Sequence, residues 1–353
     1  MRSSVPASTV SLCFTPAKME HLLTNARIAR WLHQGILLAV SGGADSTAML
    51  RFFLEMKKNA APDSSIAVAH INHGLRSMES DDDADFVEKL ASRFGLPFFS
   101  TKITPESWEN DDSGSFEAAA RNLRYNFLVS TAQTNGLRHI ALAHTRNDQA
   151  ETIMHRIIRG TGIAGLSGIP EVRKINDAVS LVRPFLRTER KKILEYLAAL
   201  GQDFRHDSSN DTTRWTRNKI RLEILPAIRK SINPSVDDSL VRLGMQASEL
   251  HGIIDDMLDS LYEDIVTESD LNSAVVECTR IKTLPEYITR ALLLRIWKTK
   301  NWPLRHVGHE HWCQVAAMLR ETNHASKTVS LPGGIIIRID AGSQTMTIEK
   351  GVS

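Results

Sequence analysis

The stretch Ser41-Gly42-Gly43-Ala44-Asp45-Ser46 sets two glycines, two hydroxyls and one carboxylate between an apolar run, ILLAV (36–40), and a helix-like one, TAMLRFFLEM. A strand, a tight loop and a helix start are the elements this pattern predicts. At a helix N-terminus the first N–H groups lack partners and the helix dipole adds partial positive charge, so an anion is favoured there. Adjacent glycines let the backbone curl close to that anion, and Ser41, Ser46 and Thr47 have hydroxyls to donate. The loop is therefore expected to hold phosphate. It lacks the lysine of the ATPase P-loop and does not fit G-x-G-x-x-G. A carboxylate inside a phosphate loop repels its ligand unless a cation lies between them, so Asp45 points to Mg²⁺ bridging carboxylate and phosphates. An ordinary strand-to-helix turn capped by Asp45 would use the same residues.

A second group lies in HTRNDQAET (144–152). Asp148 and Glu151 are three apart at a predicted helix start and share one face. They suit a helix cap that complements the dipole, and equally a role beside Asp45 in holding Mg²⁺ or gripping a cationic amine. His144 and His73 follow predicted strands, as satisfied loop histidines or as ligands. In ARNLRYNF (120–127), Arg121 and Arg124 stand at i, i+3 on a helix, either as a solvated face or as guanidiniums that grip phosphate bidentately. GTGIAGLSGIP (160–170) carries four glycines, which reads as a flexible flap over the active edge or as a loosely ordered excursion.

These groups need a scaffold, and the chain supplies one. From residue 36, strands (36–40, 65–71, 97–103, 139–144) alternate with helices (46–58, 79–94, 115–135, 147–159). Such alternation predicts an α/β fold, a parallel twisted sheet with helices on both faces. Ligands of these sheets bind beyond the carboxyl ends of the strands, where SGGADS, NHGLR (72–76) and HTRNDQAET all fall. After SLVRPF (180–185) and a helix at 188–201, the segment 203–221 is polar and basic. A long amphipathic helix (235–266), helices near 284–299 and 306–320, and a small β unit (327–350) complete a mainly helical C-terminal region. The expected divisions are a disordered arm at 1–18, a nucleotide-binding domain at 19–230, and a helical linker and C-terminal module at 231–353.

The 353 residues include 42% hydrophobic and 24% charged, ordinary for about two globular domains. No apolar run approaches the roughly 18 residues of a membrane helix. Three scattered cysteines, none in a C-x-x-C pair, argue against a disulfide framework, a zinc site or a cysteine-held cluster and favour a reducing cytoplasm. The formal net charge of +2 is permissive for a local basic face.

SGGADS resembles the SGGxDS loop of the N-type ATP pyrophosphatases, and NHGLR, ARNLRY, AHTRNDQAET, RGTGIAGLSGI, RPF and DSSNDTTRWTRNKIR, in that order, resemble the bacterial tRNA(Ile)-lysidine synthetases over roughly residues 34 to 229. The resemblance implies an enzyme using ATP, Mg²⁺ and L-lysine on the wobble cytidine of a CAU-anticodon tRNA(Ile). Cytosine O2 would attack the α-phosphate with loss of pyrophosphate, and the lysine ε-amine would then displace AMP at C2, changing codon reading from AUG to AUA. On this reading Ser41, Gly42, Gly43, Ala44, Asp45 and Ser46 hold the nucleotide, and Asp45 and Asp148 hold the metal. Asp148 and Glu151 hold the amine, His144 relays its proton, Arg124 neutralises the adenylate, and Arg217 and Arg121 touch tRNA or nucleotide phosphate. Asn147 stands where the family often has an acid, which leaves Asp148 as the expected ligand. A homodimer is compatible with the sequence. The alternatives are a sulfur-delivering tRNA enzyme of the same superfamily and an amide-forming synthetase.

Overall fold

The computed structural model describes residues 25–72, 77–103, 116–205, 216–270, 272–304, 307–320, 326–340 and 342–351. The expected arm at 1–18 and His73 lie outside them. The chain divides into two compact units, one through Ala247 and one from Ser248.

The first unit is built on a six-stranded sheet. Helix α1 (Asn25–His33) leads into β1 (Ile36–Ala39), followed by α2 (Ala44–Ala60), β2 (Ile66–Asn72), α3 (Ser77–Arg93), β3 (Phe98–Lys102), α4 (Phe116–Thr134), β4 (His139–Ala141), α5 (Arg146–Ile158), a short α6 (Ile163–Leu166), β5 (Val172–Lys174), β6 (Ser180–Val182) and α7 (Arg190–Ala199). The strand order is β3-β2-β1-β4-β6-β5. Strands β3, β2, β1, β4 and β6 are parallel, with Ile36 in register with Ile66 on one side and with His139 on the other. Only β5 runs antiparallel, against β6.

Burial on both faces explains why β1 is apolar throughout rather than alternating. Ile36 and Leu38 pack with Ile28 and Leu32 of α1, Leu50 and Phe53 of α2, Val87 of α3 and Ile193 of α7. Leu37, between them in sequence, packs on the opposite face with Leu128 and Ala132 of α4. The order reverses at β1, whose neighbours are β2 and β4, and so opens a crevice beyond the carboxyl ends of β1 and β4.

The first unit runs 17 residues past the break expected at 230, through Ala247. Helix α8 (Thr216–Lys219), a π turn (Ile220–Ile224) and α9 (Leu225–Ser231) form one helical run, followed by α10 (Val236–Ile265). Val236 and Leu240 of α10 join Ile220, Leu225 and, from α5, Ala150 and Ile153 in a separate apolar cluster. Burial of those two side chains carries the unit across the proline-marked turn.

The second unit holds a five-stranded antiparallel sheet. Its strands are β7 (Val266–Ser269), β8 (Ser273–Glu277), β9 (Lys327–Leu331), β10 (Ile335–Asp340) and β11 (Thr345–Lys350), ordered β7-β8-β11-β10-β9. Helices α11 (Cys278–Lys282), α12 (Glu286–Thr299) and α13 (His309–Arg320) complete it. The last three strands are the β unit expected from sequence. The first two were not, because VTES and SAVVE are short and show no alternation of apolar and polar residues. Trp297, Trp302 and Trp312 meet edge to face, with centroids 5.2 and 5.1 Å apart, and all three are buried. They are core, not stacking platforms for bases.

Candidate active site

Gly42 turns the chain with φ +92, a conformation L side chains rarely adopt, and Gly43 then enters α2 in extended conformation without a side-chain cap. The loop braces itself: the Ser41 N–H donates to Ser46 Oγ at 3.2 Å, Ser46 Oγ lies 3.1 Å from the Gly43 carbonyl, and Thr47 Oγ1 donates to the Gly42 carbonyl at 3.1 Å. Thr47 is fully buried, so its hydroxyl shapes the loop and is not offered to a ligand. The Arg205 N–H binds the Gly42 carbonyl at 2.9 Å, and its guanidinium reaches Asp83 at 3.0 Å, tying the segment after α7 to the loop and to α3.

The crevice beyond β1 and β4 holds a cavity of about 440 Å³, within the range of small-molecule sites. Ser41, Gly43, Ala44, Asp45, Ser46, Arg121, Arg124, His144 and Asp148, all expected from sequence, line it together. Gly42 supplies the turn behind it. Arg190, Arg221, Tyr125, Phe204, Asp83 and Arg205 also line it and were not expected. Arg221 was legible in principle, since it follows Arg217 by four residues and so shares its helix face.

Asp45 Oδ2 lies 3.5 Å from Arg190, while its Oδ1 is buried with no partner among the described residues. Burial pushes the Asp45 carboxyl above the usual carboxylate range, with Arg190 pulling it back down. Asn147 accepts the Arg190 N–H through Oδ1 at 3.2 Å and so fixes the start of α7.

Asp148 performs the capping expected of it and more. Its Oδ2 accepts from the Thr145 N–H at 2.8 Å and from Thr145 Oγ1 at 2.9 Å, closing a capping box at the start of α5. Its Oδ1 accepts from Arg217 at 3.2 Å. Glu151, one turn on and buried, is held by Arg217 at 3.4 Å and Arg221 at 3.7 Å. Arg217 thus bridges both acids rather than standing free for a phosphate. Burial raises the Glu151 carboxyl, the nearby Asp148 charge raises it further, and the two arginines oppose them.

His144 accepts a hydrogen bond at Nδ1 from Arg183 Nε at 3.3 Å. Burial, together with the surrounding arginines, holds its pKa down to about 4. On α4, Tyr125 lies between the guanidiniums of Arg121 and Arg124, 5.3 and 5.8 Å from its ring centroid. The glycine-rich stretch is less free than a flap. Gln149 binds Ile169 through both backbone groups, Arg156 binds the Gly165 and Gly168 carbonyls, and Arg183 binds the Pro170 carbonyl. At Gly168, with φ +67, an added Cβ would meet the Gln149 amide at 2.6 Å.

The site fits Mg²⁺ of the kind that keeps several waters and binds through one or two carboxylates plus substrate phosphates. The described residues contain no cluster of three or more metal-binding side chains, and the unpartnered Oδ1 of Asp45 is the group best suited to the role. No helix among the described residues is long and apolar enough to cross a membrane.

The tRNA(Ile)-lysidine synthase of Dehalococcoides mccartyi is 33% identical over 86% of this chain and 64% of its own length. That of Clostridioides difficile is 30% identical over 90% of this chain and 67% of its own. The chain thus spans about two thirds of the length of these relatives. Among solved structures, the U34-tRNA thiolase NcsA from Methanococcus maripaludis superposes with a TM-score of 0.51 at 18% identity, covering 64% of this chain and 78% of that one. At that identity the likeness is one of fold. The family described as the PP-loop domain matches residues 15–228, and with these relatives it assigns the chain to the PP-loop family, among its tRNA(Ile)-lysidine synthases.

Proposed function

We propose that this chain ligates lysine to C2 of the wobble cytidine of a CAU-anticodon tRNA(Ile), consuming ATP and releasing pyrophosphate and then AMP. The observation that carries the reading is the convergence, on one cavity, of an uncapped phosphate loop, an unpartnered Asp45 oxygen and Asp148, which Arg217 ties to Glu151 buried one turn behind the cavity wall. Mg²⁺, held at Asp45 with Asp148 nearby, would neutralise the departing pyrophosphate.

The N–H groups at the start of α2 receive phosphate oxygens, and Arg190 is close enough to Asp45 to reach the same phosphates. Arg124 and Arg121 on α4 form a cationic wall that meets the adenylate or the tRNA backbone. Asp148 and Glu151 hold the lysine ammonium, taking it in exchange for part of their contact with Arg217. The C-terminal unit is assigned to holding tRNA, not to chemistry. From Ser248 onward it has 14 Asp and Glu against 11 Lys and Arg, a net charge of −3, so its hold rests on local contacts and not on a general positive field.

The test is incorporation of labelled lysine into CAU-anticodon tRNA(Ile) and into methionine tRNA, with ammonia and a sulfur donor offered in place of lysine. Lysine-dependent AMP release on the isoleucine tRNA alone is the expected result. Release driven by a sulfur donor would replace this reading with thiolation.

A further inference from the structure

Arg183, in the RPF stretch after β6, is 3% exposed yet pairs with no carboxylate among the described residues. Its donors go elsewhere. Nε donates to His144 Nδ1 at 3.3 Å and Nη1 to the Pro170 carbonyl at 2.6 Å, at the end of the glycine-rich stretch. An arginine cannot be deprotonated in a protein, so its Nε is a donor only, and the nitrogen facing it must be an acceptor. In a neutral imidazole the proton then resides on the other nitrogen.

We propose that Arg183 is a positioning residue that fixes His144 as its Nε2–H tautomer, so that His144 meets substrate as a hydrogen-bond donor and not as a proton acceptor. With Nδ1 occupied, Nε2 is the nitrogen left for a ligand in the cavity that His144 lines. A nitrogen that already carries a proton cannot collect one from an amine. Removal of the lysine proton therefore falls to Glu151 or Asp148, or to a water they hold. The buried charge of Arg183, with Arg124 lining the same cavity, favours an anionic acceptor for that N–H, which in the proposed reaction is an adenylate oxygen. The neutral state of His144 near pH 7 follows from its depressed pKa and is consistent with this geometry. Only the identity of the acceptor rests on the lysidine reading; the tautomer does not.

The test is long-range ¹H–¹⁵N correlation spectroscopy of the histidine rings in the full chain without substrate, with His144→Gln assigning its signal among 13 histidines. The expected spectrum shows protonated Nε2 and unprotonated Nδ1, and AMP, used as the probe, shifts the Nε2–H resonance. Arg183→Met should mix the tautomers and lower kcat about 10- to 100-fold, the usual cost of losing a residue that orients a ligand, with the KM for ATP little changed. Arg183→Lys should restore part of both. A protonated Nδ1 in the wild-type protein overturns the proposal, as does an unaltered tautomer in Arg183→Met. If Arg183→Met does not fold, the wild-type spectrum decides by itself. A correct tautomer in a protein that makes no lysidine counts against the proposed function and not against the role of Arg183.

Discussion

The Arg190 guanidinium stands 3.5 Å from the Asp45 carboxylate, and the Arg190 N–H is anchored by Asn147. A cation delivered by α7 therefore offsets, before any nucleotide arrives, the one negative charge built into the phosphate loop. In the proposed reaction that charge is needed later, when a metal and a triphosphate take the place of Arg190.

Asp45→Asn keeps the size of the side chain and removes its charge. AMP formation should fall about 10²- to 10³-fold, the scale for losing one electrostatic group at a reacting centre, with an unchanged circular dichroism spectrum. Arg190→Met should raise the KM for ATP about tenfold, about 1.4 kcal/mol, while the KM for lysine holds. Near-normal turnover of folded Asp45→Asn would remove the metal role from this residue.

The Glu151 carboxyl is raised by burial and by Asp148. Only its ionised form holds an ammonium, so lysine binding should weaken as pH falls through a range above that of an ordinary glutamate. Arg217 pulls this carboxyl down, so Arg217→Gln should move the acid limb of the lysine KM profile further up. Glu151→Gln should flatten that limb and raise the KM for lysine more than that for ATP. An acid limb at or below the usual glutamate range contradicts the assignment.

Truncation separates the two candidate boundaries. A chain ending at Lys230 loses Val236 and Leu240 from their cluster with Ile153 and Leu225, about 1.5–3 kcal/mol for each buried side chain. It also loses Asp237, which accepts from Arg229 at 2.6 and 2.9 Å. A chain ending at Ala247 keeps both. Thermal denaturation should show the shorter chain melting several degrees lower, and equal melting temperatures would mean that α10 adds nothing to the first unit.

The C-terminal arginines are already paired: Arg280 with Asp264, Arg290 with Glu286, Arg295 with Asp259, Arg338 with Glu349. Exposed pairs of this kind are worth about 0–1 kcal/mol, and an acid left behind when RNA takes its arginine draws a cation back from solution, which offsets the counterions the RNA releases. The chain ending at Ala247 should therefore bind tRNA more weakly than the full chain but with nearly the same salt slope. Unchanged affinity would show that the second unit serves another end.

The sheet, its helices and the phosphate loop could be read from sequence because a strand buried on both faces and a helix packed on one leave unmistakable periods, as in ILLAV and Met49, Leu50, Phe53. What could not be read depends on long-range packing. Nothing local marks Arg190 as a partner of Asp45, since 145 residues separate them and α7 reaches the loop only through the fold. Thr47 looked like a ligand group because hydroxyl chemistry is the same whether the oxygen faces a cavity or a carbonyl. The glycines of 160–170 suggested freedom, yet Gln149 and Arg156 of α5 and Arg183 after β6 pin them from two separate segments. The tryptophans of the second unit lay among bases in sequence and turned out to fill its core.

The π turn at Ile220–Ile224 shapes the cavity as well as the helix. Ile220 and Leu225, five apart, are both fully buried in one cluster, and the Leu225 N–H bonds back to the Ile220 carbonyl. In a regular α-helix a spacing of five would turn one of them well away from the other's face, whereas a spacing of four would not. The helix therefore carries one residue more than an α-helix needs to present the same buried face. Arg221 and Leu222, which both line the cavity, sit within that wide turn, so its pitch sets the angle at which they reach the cavity while Ile220 and Leu225 stay in the core.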